Sequence, residues 1–324
     1  MALDKKDREI LFALDLNARI PLKKLAKKVR LSAQTAKYRI EQLEKNGVIK
    51  GYVTLFDVSK LGYEYFRLYV RFEGFSQKDE KAFFAYLNRH QNVVWFVNTI
   101  GRYDAEVLFV ARSFIHFNQI LREMREAVPN KFFSVVPSVS IANYHHTRAY
   151  LINAKSDFLP SYGGEPKKAN VDEADAKIIH LLNQNARISN SELGKTINLN
   201  YKTVQNRIKA LVEKGVIKAY RTWLDFSKLG SIYYKILVKL RHFSLEDELK
   251  ILEFCKQNQN IVYFITCIWP WDIELEMEVE SEQKFLEIIK SFRQLMGGNI
   301  LDYETLTVTK EHKMNYCPFS EESI

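Results

Sequence analysis

The sequence repeats itself once at a fixed offset of 168 residues, which restricts the chain to architectures built from two like units. LDKKDREI from Leu3 returns as VDEADAKI from Val171, and NARI from Asn17 as NARI from Asn185. GVIKGY from Gly47 returns as GVIKAY from Gly215, and DVSKLG from Asp57 as DFSKLG from Asp225. Residues 3–62 and 171–230 share 26 identities in 60 ungapped positions. The register persists more faintly afterwards, with Ser76 matching Ser244, Asp104 matching Asp272 and Phe117 matching Phe285. Between the units, residues 151–170 contain Pro160, Gly163, Gly164 and Pro166 and read as a linker.

The start of each unit reads as a helix-turn-helix. Asp4 is a good N-cap and Asp7 supplies the acidic half of a capping box, so a helix is expected over about 5–16 with Ile10, Leu11 and Leu14 inward. Pro21 opens a short second helix, where its missing N–H costs nothing. Ser32 caps a third helix that runs to about Asn46, buries Ala36, Ile40 and Leu43, and closes at Gly47. Val48–Phe56 then has the β-rich composition of a wing. Such a third helix enters the major groove with its N-terminal residues against base edges. Its outward side chains here are Ala33, Gln34, Lys37, Tyr38 and Glu41, against Tyr201, Lys202, Gln205, Asn206 and Lys209 in the second unit. Gln, Asn and Lys can read bases. Ser32, Thr35 and Thr203 sit at the helix starts, and Lys50 and Lys218 in the wings are expected on phosphates. Arg39 and Arg207 lie nearer the buried edge, where contacting phosphate and bracing the fold are equally good readings.

Charge supports a polyanionic partner. The net charge is +9, but residues 1–62 carry +7 and residues 171–230 carry +4, whereas residues 231–324 carry −6. A basic excess concentrated in the two helix-turn-helix segments points to double-stranded DNA more strongly than scattered charge would.

The remainder of each unit alternates like a half-buried sheet. Tyr65–Phe72 sets Phe66, Leu68, Val70 and Phe72 against Arg67, Tyr69 and Arg71. A helix is expected at about 78–90, strands at about 93–100 and 104–112 around Gly101-Arg102-Tyr103-Asp104, a helix at about 114–127 and a strand at about 132–142. That order is βαββαβ, the split ferredoxin-like motif.

The stretches LAKKVRLSAQTAKYRIEQLEKNGVIKGY and Gly101-x-Tyr103-Asp104, with their second-unit counterparts, resemble the Lrp/AsnC family of leucine-responsive regulators, twice over nearly the whole chain. The resemblance implies an α+β fold of two copies of a winged helix-turn-helix plus a ferredoxin-like sensor (RAM-type) domain. The expected divisions are 1–62 and 171–230 for the DNA-binding heads, 63–150 and 231–324 for the sensors, and 151–170 for the linker. It further implies an amino-acid or other small effector near the turn, with Asn98, Thr99, Gly101, Tyr103, Asp104 and Asp272 as candidates. From the residues alone, Gly101 and Asp104 are equally explained as turn chemistry. Trp269-Pro270-Trp271 departs from the pattern and puts a second equivalent pocket in doubt.

The sensors are expected to pair through their open sheet faces, within the chain or in a homo-oligomer. Arg67, Tyr69 and Arg71 of one would meet Glu274, Glu276 and Glu278 of the other, unless Lys235 and Lys239 neutralise those glutamates within their own sheet. Three unclustered cysteines, no long apolar span and no signal-like start fit a cytoplasmic location without a membrane partner. No phosphate-cradling glycine loop, HExxH or CxxC occurs, and the adjacent His145 and His146 read as surface residues pointing to opposite faces of a strand end, so no catalytic residue, metal or cofactor is expected and the chain is read as no enzyme. The alternative is a fused sirohaem decarboxylase of alternative haem synthesis. Those enzymes also resemble this family and tend to carry histidines around the strand-turn-strand, whereas residues 93–104 and 261–272 contain none.

Overall fold

The computed structural model describes residues 3–129, 131–157 and 161–317. In the first head, α1 (Lys5–Leu16), α2 (Leu22–Val29) and α3 (Ala33–Lys45) pack around Ile10, Leu14, Leu25, Ala36, Ile40 and Leu43. The start of α1 carries a capping box in which Asp4 accepts from the Asp7 backbone N–H at 2.8 Å and Asp7 accepts from that of Asp4 at 3.2 Å. The second head repeats this with α6 (Glu173–Gln184), α7 (Asn190–Ile197) and α8 (Tyr201–Glu213). In each head the strand after the third helix finds its partner in the other unit. β1 (Ile49–Phe56) pairs antiparallel with β7 (Ile217–Leu224), so the two heads share one two-stranded ribbon.

Each sensor has the βαββαβ order: β2 (Glu64–Phe72), α4 (Gln77–Arg89), β3 (Val93–Ile100), β4 (Ala105–Ala111), α5 (Phe114–Ala127) and β5 (Phe132–His145) in the first. The second has β8 (Ile232–Leu240), α9 (Leu245–Gln257), β9 (Ile261–Ile268), β10 (Ile273–Val279), α10 (Glu282–Met296) and β11 (Ile300–Met314). The sensors join by their strand edges, which brings the two open faces together across a common interior. β5 pairs with β2 of its own unit along its first part and with β9 of the other unit along its second. β11 likewise pairs first with β8 and then with β3. The strand order β2-β4-β3-β11-β8-β10-β9-β5, with β5 returning to β2, therefore closes into an eight-stranded barrel. The helices cover its outside over two apolar cores, one around Phe66, Phe83, Phe96 and Phe109, the other around Phe264, Leu275, Ile288 and Phe292.

The interior of an eight-stranded barrel is just wide enough for side chains to fill it. Here Tyr69, Leu237, Trp271 and Leu306 fill part of it, and beside them lies a charged cluster. Arg67 meets Glu106 at 2.5 Å and Glu274 at 3.3 Å, while Lys235 meets Glu274 at 2.7 Å and Glu276 at 3.0 Å. The expected attraction of Arg67 for the acidic strand and its alternative, neutralisation by Lys235, are thus both realised. Arg71 instead lies outside the barrel, 5.2 Å over Phe133, and Glu278 pairs with Arg148. Three carboxylates share two cations, so burial and the neighbouring glutamates raise Glu106, while Glu274, despite its burial, is pulled down to about 2 by Arg67 and Lys235.

The stretch between the units is no free tether. β6 (Tyr162–Gly163) adds a short strand to β5, and the Lys167 and Ala169 backbone N–H groups donate to Ser59 and Lys60 carbonyls at 2.9 and 2.7 Å.

Candidate nucleic-acid interface

The third helix of each head starts on a side-chain cap. Ser32 accepts from the Thr35 N–H at 3.0 Å and Asn200 from the Thr203 N–H at 2.9 Å, so Ser32, Thr35 and Thr203 fix where each helix begins. Gln34, Lys37 and Tyr38 of α3 and Tyr201, Lys202, Gln205 and Asn206 of α8 are all exposed. Tyr38 and Tyr201 are 61% and 56% exposed, far above what tyrosines held in a core show. Two polar-aromatic faces are therefore presented, with no residue in common at matched positions.

The two arginines resolve as braces. Arg39 holds Asp4 at 2.8 Å and Asp7 at 2.7 Å, and Arg207 holds Asp172 and Asp175, both at 2.8 Å, locking each third helix to the start of its first. Lys50 and Lys218 do not occupy the positions expected of phosphate contacts. Because the wing strands pair with each other, the Lys50 ammonium is turned into the junction, where it donates to the Glu311 carbonyl at 2.6 Å and lies 4.1 Å over Trp223. Lys218 is drawn to the buried Asp57 at 3.7 Å.

The identical NARI segments cross-brace the heads. The Arg19 guanidinium donates to the Ala186 and Ile188 carbonyls at 2.8 and 2.7 Å and to Asn190 at 2.7 Å, and sits 5.2 Å over Tyr220. Arg187 lies 4.7 Å over Tyr52 of the first head. With the shared ribbon, these contacts fix the separation of the two recognition helices.

A buried ion network ties the heads to the barrel. Asp15 at the end of α1 accepts from Arg148 at 2.9 Å and from Arg221 of β7 at 2.8 Å, and Arg148 also meets Glu278 of β10 at 2.9 Å. Burial opposes ionisation of Asp15, but Arg221 and Arg148 outweigh it and hold the carboxyl below its usual range. His145 is buried beside this network, 3.1 Å from the Tyr162 hydroxyl, and His146 is buried too, so neither is the surface residue expected from the sequence. Burial and the adjacent cations hold His145 well below the usual imidazole range. On the opposite side, Glu311 accepts from the Trp95 indole at 2.6 Å and from that of Trp223, and burial pushes it up to about 7. Sequence reasoning missed Asp15, Arg19, Arg148 and Arg221. Only the exact recurrence of NARI hinted at Arg19.

The proposed effector residues are mostly taken up by their own turn. Asn98 bonds Glu80 and His312, the Thr99 hydroxyl donates to the Tyr103 carbonyl at 2.7 Å, and Asp104 accepts from the Phe72 N–H at 2.7 Å. Asp272 does the same for Leu240 at 2.7 Å. Gly101 has φ +143°, and a Cβ there would sit 2.8 Å from the Thr305 carbonyl, so backbone packing demands glycine. Trp269 occupies the matching position with its ring exposed, while Trp271 is buried against Tyr103, Tyr69 and Leu306 and fills the second turn. A groove between the two turns is lined by Arg102, Tyr103, Lys239, Trp269, Trp271 and Asp302, and of the six candidates only Tyr103 faces it. Among the described residues no cluster of histidine, cysteine and carboxylate side chains could hold a metal, and no helix is long and apolar enough to cross a membrane.

Comparison with known proteins fits this geometry. The winged helix-turn-helix DNA-binding family matches residues 3–50 and 171–218. The HTH-type transcriptional regulator LrpB of Bacillus subtilis is 35% identical over 142 residues, which is 44% of this chain and 93% of that protein. The HTH-type transcriptional regulator Ptr1 of Methanocaldococcus jannaschii is 32% identical over 120 residues, 36% of this chain and 79% of that protein. Each covers less than half of this chain, as single-unit relatives of a double-unit protein would. The whole two-unit arrangement is shared with a solved structure of the siroheme decarboxylase NirDL, at a TM-score of 0.61, 12% identity, and 98% and 96% coverage of the two chains. At that identity the likeness concerns the fold alone. It nevertheless corrects the expectation of no enzyme, which rested on missing catalytic motifs and on the lack of histidines in 93–104 and 261–272, because the same two-unit architecture is found in a decarboxylase and so does not set enzymes aside.

Proposed function

This chain belongs to the Lrp/AsnC family of DNA-binding transcription regulators, and on that premise we propose that it reads a specific, asymmetric DNA site with two unlike heads held at a fixed spacing. The observation that carries this reading is the pair of exposed third helices on a cross-braced base. Gln34, Lys37 and Tyr38 of one head, and Tyr201, Lys202, Gln205 and Asn206 of the other, offer different donors and acceptors to base edges. Ser32, Thr35 and Thr203 place the helix N-termini toward phosphate. The first head contributes more electrostatic affinity, since its segment carries +7 against +4. On this reading the protein acts at the chromosome, in the cytoplasm.

We further assign a small effector, an amino acid or a similarly polar molecule, to the groove between the turns. Arg102 and Lys239 supply cations there, Asp302 a carboxylate, and Tyr103 and Trp269 apolar faces. Filling it would act on the wall of the barrel that both sensors share. The test is a gel-shift titration of the full chain against selected DNA at several salt concentrations, repeated with each of the twenty amino acids. Sequence-selective binding that weakens steeply with salt and responds to one of them supports the reading. Equal affinity for every duplex defeats it.

A further inference from the structure

A second groove, of about 730 Å³, lies between the first head and the hinge that leaves β5. That volume is within the range of small-molecule pockets. Its floor is apolar, formed by Phe12 of α1, Val29 of α2, and Leu151 and Ile152 of the hinge. Its rim is cationic, formed by Lys5, Arg8 and Lys28. The one acid on the rim, Glu9, is neutralised by Lys6 at 2.7 Å, and among the described residues no ion pair involves Lys5, Arg8 or Lys28. Lys28 rests 6.0 Å over the Phe12 ring.

The repeat supplies an internal comparison. At the matched positions of the second head, Lys5 becomes Glu173, Arg8 becomes Ala176, Phe12 becomes His180 and Lys28 becomes Thr196. The scaffold of a head therefore does not require this combination of cations over an apolar floor. The groove's far wall is also wired into the molecule. Tyr150 donates to Glu278, Glu278 holds Arg148, and Arg148 holds Asp15 in α1.

We infer that this groove is a ligand site for a small organic monoanion with an apolar body, an aliphatic or aromatic carboxylate, and that filling it alters how the first head is held for DNA. The cations select the carboxylate and the floor selects the body, so an apolar amine or a bare anion lacks half of the recognition. The effect on DNA rests on the regulator reading, whereas the binding does not.

The experiment is calorimetric titration of the full chain with octanoate and phenylacetate, alongside octylamine and inorganic phosphate. Both carboxylates are expected to bind, and the R8E/K28E variant is expected to bind them about tenfold or more weakly. The matched change in the second head, Thr196→Glu, is expected to leave binding unaltered. Lys28→Gln, which removes the charge but keeps a polar side chain, provides a milder loss if the double variant melts early. The inference is overturned if neither carboxylate binds, if octylamine or phosphate binds as well as octanoate, or if the Arg8 and Lys28 variants bind like the parent. Carboxylate binding without any DNA binding by the protein would leave the site standing and sink the regulator reading instead.

Discussion

Replacing Asp15 by Asn should destabilise the protein by about 3–5 kcal/mol, because it removes the shared partner of two buried guanidiniums. Asp15 accepts from Arg221 at 2.8, 2.8 and 3.1 Å and from Arg148 at 2.9 Å, and all three side chains are buried. Arg148 would retain Glu278 at 2.9–3.1 Å, but Arg221 would lose its only carboxylate among the described residues. The repeat indicates a rescue. Position 15 is matched by Asn183 and position 221 by Val53, so Asp15→Asn with Arg221→Val installs chemistry that the other unit already uses. The double variant should recover at least about 1.5 kcal/mol relative to the sum of the singles. Urea titration followed by circular dichroism reads both numbers, with the slope checking that the unfolding transition is unchanged. Acid adds a second signature. The folded carboxyl lies below its ordinary value of 3.8, so its contribution is complete above that pH and is lost as pH falls through the lower folded value. The gap between wild type and D15N should therefore close only on the acid side of about pH 3.8. A cost under about 1 kcal/mol, or simple additivity in the double variant, would refute the claim that this network joins head to barrel.

Other outcomes separate DNA contacts from structural ones. Lys37→Glu should weaken DNA binding and lower the magnitude of the log–log salt slope by about one, whereas Lys50→Glu should lower the melting temperature first, since its ammonium serves the ribbon junction. Arg39→Ala should cost the first head about 1–2 kcal/mol in urea titration by freeing Asp4 and Asp7, with an unchanged salt slope in the protein that remains folded. Stability should fall by up to about 3 kcal/mol between pH 4.5 and about 7, because the folded Glu311 holds its proton to the higher value while the unfolded one has lost it. E311Q should flatten that decline, and an unchanged profile would remove Glu311 from the account.

What the sequence revealed divides along local and non-local lines. The caps at Asp4 and Ser32, the buried stripe of Ala36, Ile40 and Leu43, and the alternation of Phe66, Leu68 and Val70 are short-range signals, and each has its structural counterpart. The partners of strands are not short-range. Nothing in Val48–Phe56 says that its neighbour is the matching strand 168 residues away, and the length of β5 and β11 does not say that each ends in the other unit's sheet. The same pairing gives the Lys50 and Lys218 ammonium groups partners at the junction, the Glu311 carbonyl and Asp57, that their local sequence does not announce. The alternation of Glu274, Glu276 and Glu278 with apolar residues reads as one wet face, because a strand buried on both faces normally carries no charge. Closure of the barrel buries that face, and Arg67, Lys235 and Arg148 make it tolerable. The turn at Gly101 admits two explanations from sequence, and the hydrogen bonds that Asp104 and Asp272 make there are those of turn chemistry.

The most direct test is selection of bound sequences from a random duplex library with the full chain at near-physiological salt. The account predicts an enriched site with two dissimilar half-sites whose centres lie about one helical turn, ~34 Å, or a multiple apart, since the heads are unlike and their spacing is fixed. Lys37→Glu should erase one half-site and Lys202→Glu should erode the other. A library that returns unenriched, or a consensus whose halves are identical and both survive the two substitutions, would contradict it.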